Sequence, residues 1–259
     1  MKKVLITGAN GQLGKCLQDA VSANPIEGFQ FLFCDRTQLD ISQKEVVETF
    51  FFSNKIDICV NCAAYTAVDL AETETELAFK VNSDAVKFLA EECKEQNATL
   101  IHVSTDYVFD GNSNAPYTPA DQTNPINVYG KSKLDGEKWA LGTNPQTIVI
   151  RTSWVYSQYG KNFYTTMLRL MKERDELNIV SDQIGKPTNA NDLAKYILEI
   201  ISSNDTNYGI RNYSGNEIMS WYDFAKKIAV ENGLSTNINP IPTSAYPTPA
   251  KRPMWSVLE

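Results

Sequence analysis

KVLITGANGQLG, residues 3–14, decides the fold. An apolar, β-branched run predicts a strand over 2–8, and the helical spacing of GQLGKCLQDAVSA predicts a helix directly behind it. Between them lie Gly8, Gly11 and Gly14, each three residues from the last. A strand-to-helix turn needs glycine where the backbone bends sharply and where an anion must approach peptide N–H groups. The helix start adds unpaired N–H groups and the positive end of its dipole. Placed after the first strand, Gly8, Gly11, Gln12, Leu13 and Gly14 therefore read as a cradle for a dinucleotide pyrophosphate.

The same alternation continues outward from this turn. FQFLFCD (29–35) predicts a strand and SQKEVVETFFFS a helix, and IDICVNCAA (56–64) is a buried strand. ETELAFKVNSDAVKFLAEECKEQN reads as one long helix and TLIHVST (99–105) as the next strand. A helix carrying Tyr129 and Lys133 runs to about Leu141, and QTIVIRTSWVY (146–156) reads as a single strand. Near-continuous apolar strands separated by helices mean a parallel sheet covered on both faces. The fold class is α/β, a doubly wound Rossmann sheet over residues 1–156 with a smaller C-terminal substrate domain, interleaved with it, over 157–259. That second part keeps a helix over NFYTTMLRLMKERDE, continues through NIVSDQIGKPTNANDLAKYILEIIS and YGIRNYSG to a helix near WYDFAKKIAVENG, and ends in a proline-rich tail.

Composition narrows the function classes. A chain of 259 residues, 42% of them hydrophobic, can bury a sizeable core. Its formal net charge of -7 supplies no broad basic surface, which excludes a general partner in nucleic acid or an anionic membrane. No apolar run approaches the ~20 residues of a membrane span. MKKVLITGAN enters a strand at once rather than a secretion signal, so the expected location is cytoplasmic. Five cysteines, an odd number, argue against a disulfide framework. Cys59 and Cys62 match C-x-x-C, but residues three apart on a strand face opposite sides, so they read as core thiols. The single histidine, His102, leaves no room for Ser-His-Asp chemistry or a multi-histidine metal site.

Chemistry-bearing residues gather where strands end. Asp35 closes the second strand and suits ribose hydroxyls, whereas the adjacent Arg36 suits a 2′-phosphate, so both NADPH and NADH stay open as cofactor. Asp40 and Ile41 follow, placed for an adenine or, for Asp40, a helix cap. Thr105, Asp106 and Tyr107 crowd the end of the fourth strand, the edge where parallel sheets bind ligands. In NVYGKSK (127–133), Tyr129 and Lys133 share one helix face. A free phenol, with a pKa of about 10, is a poor proton source near neutrality. A neighbouring ammonium is expected to pull that value toward working pH.

These elements, in this order, resemble the extended short-chain dehydrogenase/reductases. NCAAYTAVDLAE (61–72), STDYVFDG (104–111), NVYGKSKLDGE (127–137), RTSWVY (151–156), NF (162–163), DQIGKPT (182–188) and AYPTPAKRP (245–253) are similar, over nearly the whole chain, to the dTDP-4-dehydrorhamnose reductase family. The resemblance implies reduction of a dTDP-sugar ketone by NADPH or NADH, with Tyr129 as proton donor, Lys133 at the nicotinamide ribose and Thr105 orienting the carbonyl. It implies that Ala64, Tyr65 and Thr66 line the cofactor, and that Val68, Asp106, Tyr107, Trp154 and Arg252 contact the sugar nucleotide. Some relatives bridge a homodimer with a metal; Lys15-Cys16 and Asn189-Ala190-Asn191 lack the acidic ligands, so no metal is expected there and a homodimer is left open. Relatives also continue with a further helix after KRPMWSVLE. Two other readings share the Tyr and Lys: a nucleotide-sugar epimerase, and a regulatory subunit of the methionine adenosyltransferase β type.

Overall fold

A computed structural model describes residues 1–259. β1 (Lys2–Thr7) leads through the glycine turn into α1 (Gln12–Ala23), followed by β2 (Phe29–Cys34), α2 (Lys44–Asn54) and β3 (Ile58–Asn61). Next come the short α3 (Val68–Ala71) and α4 (Thr75–Phe79), then α5 (Ala85–Glu95), β4 (Thr99–Thr105), α6 (Val128–Thr143) and β5 (Thr147–Thr152). The later chain adds β6 (Val155–Tyr156), α7 (Phe163–Glu173), β7 (Glu176–Val180), β8 (Ile184–Gly185), β9 (Thr188–Asn189) and α8 (Ala190–Ser202). It closes with β10 (Gly209–Asn212), β11 (Met219–Ser220), α9 (Trp221–Glu231) and β12 (Asn237–Ile241).

Six strands form one parallel sheet in the order β10-β5-β4-β3-β1-β2. The chain leaves β1 for β2 on one side and returns to β3 on the other. A crevice opens beyond the carboxyl ends of strands at such a switch point. Strand alternation sends Val4 and Ile6 to one face, where Leu13 and Leu17 of α1 and Leu193, Ile197 and Ile201 of α8 cover them. Leu5, Cys59 and Leu100 face the other side, under Val47 and Phe51 of α2, Leu89 of α5 and Ala140 of α6. Each fully buried leucine or isoleucine contributes roughly 1.5–3 kcal/mol, so these layers hold the sheet ends in register. Cys59 lies in the second core while Cys62 packs against the first.

Three segments differ from their sequence reading. The strand expected over 146–156 breaks after Thr152, because Trp154 takes a left-handed backbone (φ 48°) and the chain re-forms as β6 beside β9. The single long helix is interrupted by a π-turn over Lys80–Asp84, which turns Asn82 inward. Residues 190–212 return to the large sheet: α8 packs on α1, and β10 pairs with β5 at the edge. The apolar stripe of α8 announces an amphipathic helix but not which core it joins. The smaller lobe has its own core of Met167, Met171, Leu177, Phe224 and Ile228. The proline-rich tail runs back across the sheet end, where Asn127 Nδ2 donates to the Lys251 carbonyl (2.8 Å) and Leu258 bridges to Tyr117.

Candidate active site

The glycine turn meets β3 at the switch point. A side chain on Gly8 (φ +66°) would lie 2.7 Å from the Ala63 nitrogen, and one on Gly14 would lie 2.5 Å from the Gly8 carbonyl. Both are glycines because backbone occupies the space. Gly11 differs: a Cβ there would approach only the Gly8 oxygen, at 3.1 Å, and otherwise project into open volume. A side chain at Gly11 would fill the cradle in front of the α1 N-terminus, so the turn fits a dinucleotide pyrophosphate. Leu13 is buried beneath it, and Gln12 reaches away, donating to the Val155 carbonyl (3.1 Å).

Asp35 is tied to the same turn, accepting from Asn10 Nδ2 at 2.6 Å and from the Thr37 backbone and hydroxyl. The Thr37 hydroxyl does most to hold its carboxyl below the usual range. Arg36 is largely exposed and reaches back to Asp40 (3.3 Å). Burial works against the Asp40 carboxylate, but bonds from Ser42 and Arg36 outweigh it and leave the pKa lowered. Ile41 is buried. After β3, Asn82 accepts from the Tyr65 N–H (2.8 Å) and donates to the Tyr65 carbonyl (2.9 Å), fixing the Ala64-Tyr65-Thr66 loop against α6 through Ser132.

α6 starts at Asn127, whose side chain caps the Gly130 N–H at 2.7 Å. A side chain on Gly130 would meet the Tyr107 carbonyl at 2.2 Å, and one on Gly136 would meet the Asn82 carbonyl at 2.0 Å. Two glycines thus let the helix press onto the turn after β4, and the Tyr129 hydroxyl comes close enough to Thr105 to feel it. Tyr107 packs edge-on against Tyr129, with centroids 5.7 Å apart. Thr105 also donates to Asp106 Oδ1 at 3.0 Å.

Electrostatics here correct one expectation. Tyr129 is not pulled toward neutrality; burial pushes its hydroxyl up to about 12, partly opposed by Thr105. Lys133 Nζ donates to the Val103 carbonyl (2.7 Å) and lies 3.3 Å from His102 Nε2. Burial, countered by the charge of Glu137, brings the lysine down to about 8. Asp106 rises to about 7, because burial outweighs the nearby Ser256 hydroxyl and the bond from Thr105, and its Oδ2 has no partner. The site therefore holds a phenol that keeps its proton at neutral pH beside groups that titrate near it.

The chain matches the family model described as "RmlD substrate binding domain" over residues 1–259. It is 44% identical to the dTDP-4-dehydrorhamnose reductase of Aggregatibacter actinomycetemcomitans, covering 100% of this chain and 91% of the relative. The chain belongs to the dTDP-4-dehydrorhamnose reductase family. The structure of the Clostridium acetobutylicum reductase superposes with a TM-score of 0.95 at 42% identity, over 99% of this chain and 90% of that one. The Bacillus anthracis dTDP-4-dehydrorhamnose reductase in complex with NADP superposes at 0.96 with 39% identity, covering 100% of this chain and 91% of the other.

In this member of the reductase family, the far wall of the cleft comes from the smaller lobe and the tail. Trp154 stacks on Trp221 with centroids 3.4 Å apart, and its edge lies where a Gly185 side chain would stand. One indole face is therefore covered by protein rather than free for a sugar. Arg252 binds Asp69 in a fork, 2.5 and 2.7 Å, donates to the Ala250 carbonyl and lies near Tyr107. Its guanidinium is at the site, though already paired with a carboxylate. Val68 opens α3, one residue before Asp69. Sequence reasoning missed Trp221, Asn82 and Asp69. Each acts through a partner far away in the chain, so no local spacing marks it.

Proposed function

We propose that this chain reduces the C4′ ketone of dTDP-4-dehydro-L-rhamnose to the alcohol of dTDP-L-rhamnose, using NADPH or NADH, in the cytoplasm. The observation that supports this most is that Thr105 and the Tyr129 hydroxyl lie side by side at the carboxyl end of β4. That pair stands on the sheet edge served by the open Gly11 turn. The reduced nicotinamide, when bound, supplies the hydride. Thr105 and Tyr129 hold the ketone oxygen between two hydroxyls. Tyr129, protonated at neutral pH, gives its proton to that oxygen as negative charge develops on it. Lys133 in its ammonium form stabilises the phenolate left on Tyr129 one helical turn away. The Gly8–Gly14 turn and the α1 N-terminus hold the pyrophosphate, and Asp35 and Arg36 stand at the ribose end. Ala64, Tyr65 and Thr66 border the cofactor, while Val68, Asp106, Tyr107, Trp154 and Arg252 border the sugar nucleotide.

The test is a spectrophotometric assay of NADPH and NADH oxidation with the dTDP-4-keto-sugar, with the product identified by NMR. Stoichiometric loss of reduced cofactor with formation of dTDP-L-rhamnose is expected. Isomerised sugar without net oxidation would identify an epimerase instead, and no turnover of either kind would remove the catalytic reading.

A further inference from the structure

His102, the chain's one histidine, is wholly buried on β4 and takes no part in the reaction proposed above. It is the centre of a buried polar chain. Thr7 Oγ1 donates to Asn61 Oδ1 (2.6 Å), Asn61 Nδ2 meets His102 Nδ1 (3.1 Å), and His102 Nε2 meets Lys133 Nζ (3.3 Å). The orientation of the Asn61 amide is not arbitrary. The Ala63 backbone N–H points at Oδ1 from 3.2 Å, and a backbone N–H only donates, so that atom is the oxygen. Nδ2 then donates to His102 Nδ1, which must offer its lone pair. Burial, with the charge of Lys133 adding to it, holds the ring's pKa well below the usual imidazole range, so the ring is neutral. A neutral ring with a bare Nδ1 carries its proton on Nε2.

We propose that Asn61 and His102 are positioning residues that set the proton affinity of Lys133, the amide fixing the Nε2–H tautomer and that N–H facing the lysine nitrogen as a donor. An ammonium at this position meets donor against donor, whereas an amine accepts the bond. The other titratable groups around Lys133 are few. Cys62, at the end of β3, is pushed far up by burial and stays a neutral thiol. Tyr129 lies one turn before on α6 and is protonated, and Glu137 lies one turn after, neutralised by Arg151 of β5 at 2.7 Å. None of them gives the lysine nitrogen a hydrogen-bond donor; His102 does.

The tautomer is testable without activity. Histidine labelled with ¹⁵N gives one imidazole in the long-range ¹H–¹⁵N spectrum, because the chain has one histidine. A bare Nδ1 and a protonated Nε2, unchanged between pH 6 and 9, are expected; the opposite tautomer or an imidazolium overturns the proposal. The pH effect rests on the reduction proposed above. Asn61→Asp, which only accepts, is expected to move the ring proton to Nδ1 and turn a lone pair toward Lys133. His102→Met removes the donor. Removing one opposing hydrogen bond of about 1 kcal/mol raises the lysine pKa by on the order of one unit. In both variants the alkaline limb of kcat, which falls as Lys133 loses its proton, therefore moves upward by about that much. The expected tautomer with an unmoved limb in a folded, turning-over variant would reduce His102 to a packing residue and overturn the positioning role.

Discussion

The two walls of the cleft are built on opposite principles. On the sheet side, Thr105, Tyr129 and Lys133 rise from β4 and α6, held by buried polar contacts that leave little freedom. Glu137 accepts from Ser104 (2.5 Å) and pairs with Arg151, both partners almost fully buried, which locks α6 to β4 and β5. On the tail side, Trp154, Trp221 and Arg252 stand on turns and helix starts, joined by stacking and by a half-exposed ion pair. Proton transfer tolerates little displacement, and in the proposed reaction it falls on the rigid wall. Recognition of a sugar nucleotide tolerates more, and in the proposed reaction it falls on the wall made of loops.

Breaking the rigid wall is expected to cost most. Arg151→Met leaves the Glu137 carboxylate buried and unpaired, and should destabilise the fold by about 3–5 kcal/mol in urea denaturation. Lys133→Met keeps the side chain's volume and the fold, but removes the charge beside Tyr129. Its kcat should fall by about 10²-fold or more with cofactor-dependent turnover otherwise measurable. Equal values for wild type and variant would mean that the lysine is scaffolding. On the softer wall, Trp154→Ala should raise KM more than it lowers kcat. A change of about 10–200-fold in kcat/KM is the scale of a lost apolar contact.

The smallest effect separates the walls by pH. Asp106 has its folded pKa raised to about 7, above an unfolded value of about 3.9. The folded state therefore binds more protons in that window, and stability is lost as pH rises through it. Asp106→Asn should abolish this slope and be the more stable of the two proteins at pH 8. Denaturant midpoints at pH 5 and pH 8 read the difference directly; a slope retained in the variant would assign it to another group.

What could be read from the sequence follows the range of each interaction. The Gly8, Gly11 and Gly14 spacing and the Tyr129–Lys133 pair are local, so the pattern alone placed the turn, the helix and the sheet around them. Chain-distant pairs left no such mark. Lys133 and His102 meet across 31 residues, and no Y-x-x-x-K spacing can reveal that. The same holds for Asp69, which claims Arg252 from 183 residues away, and for Trp221, which covers one face of the Trp154 indole. Desolvation is equally invisible in a motif. It is what lifts the Tyr129 hydroxyl to about 12 when the lysine's charge alone would lower it.

The most direct measurement is steady-state reduction of the dTDP-4-keto-sugar by Tyr129→Phe, with NADPH affinity measured in parallel by fluorescence. Loss of kcat by about 10²–10⁴-fold with cofactor affinity and melting temperature unchanged is the predicted result. A phenylalanine enzyme that keeps wild-type turnover would mean that the proton comes from elsewhere.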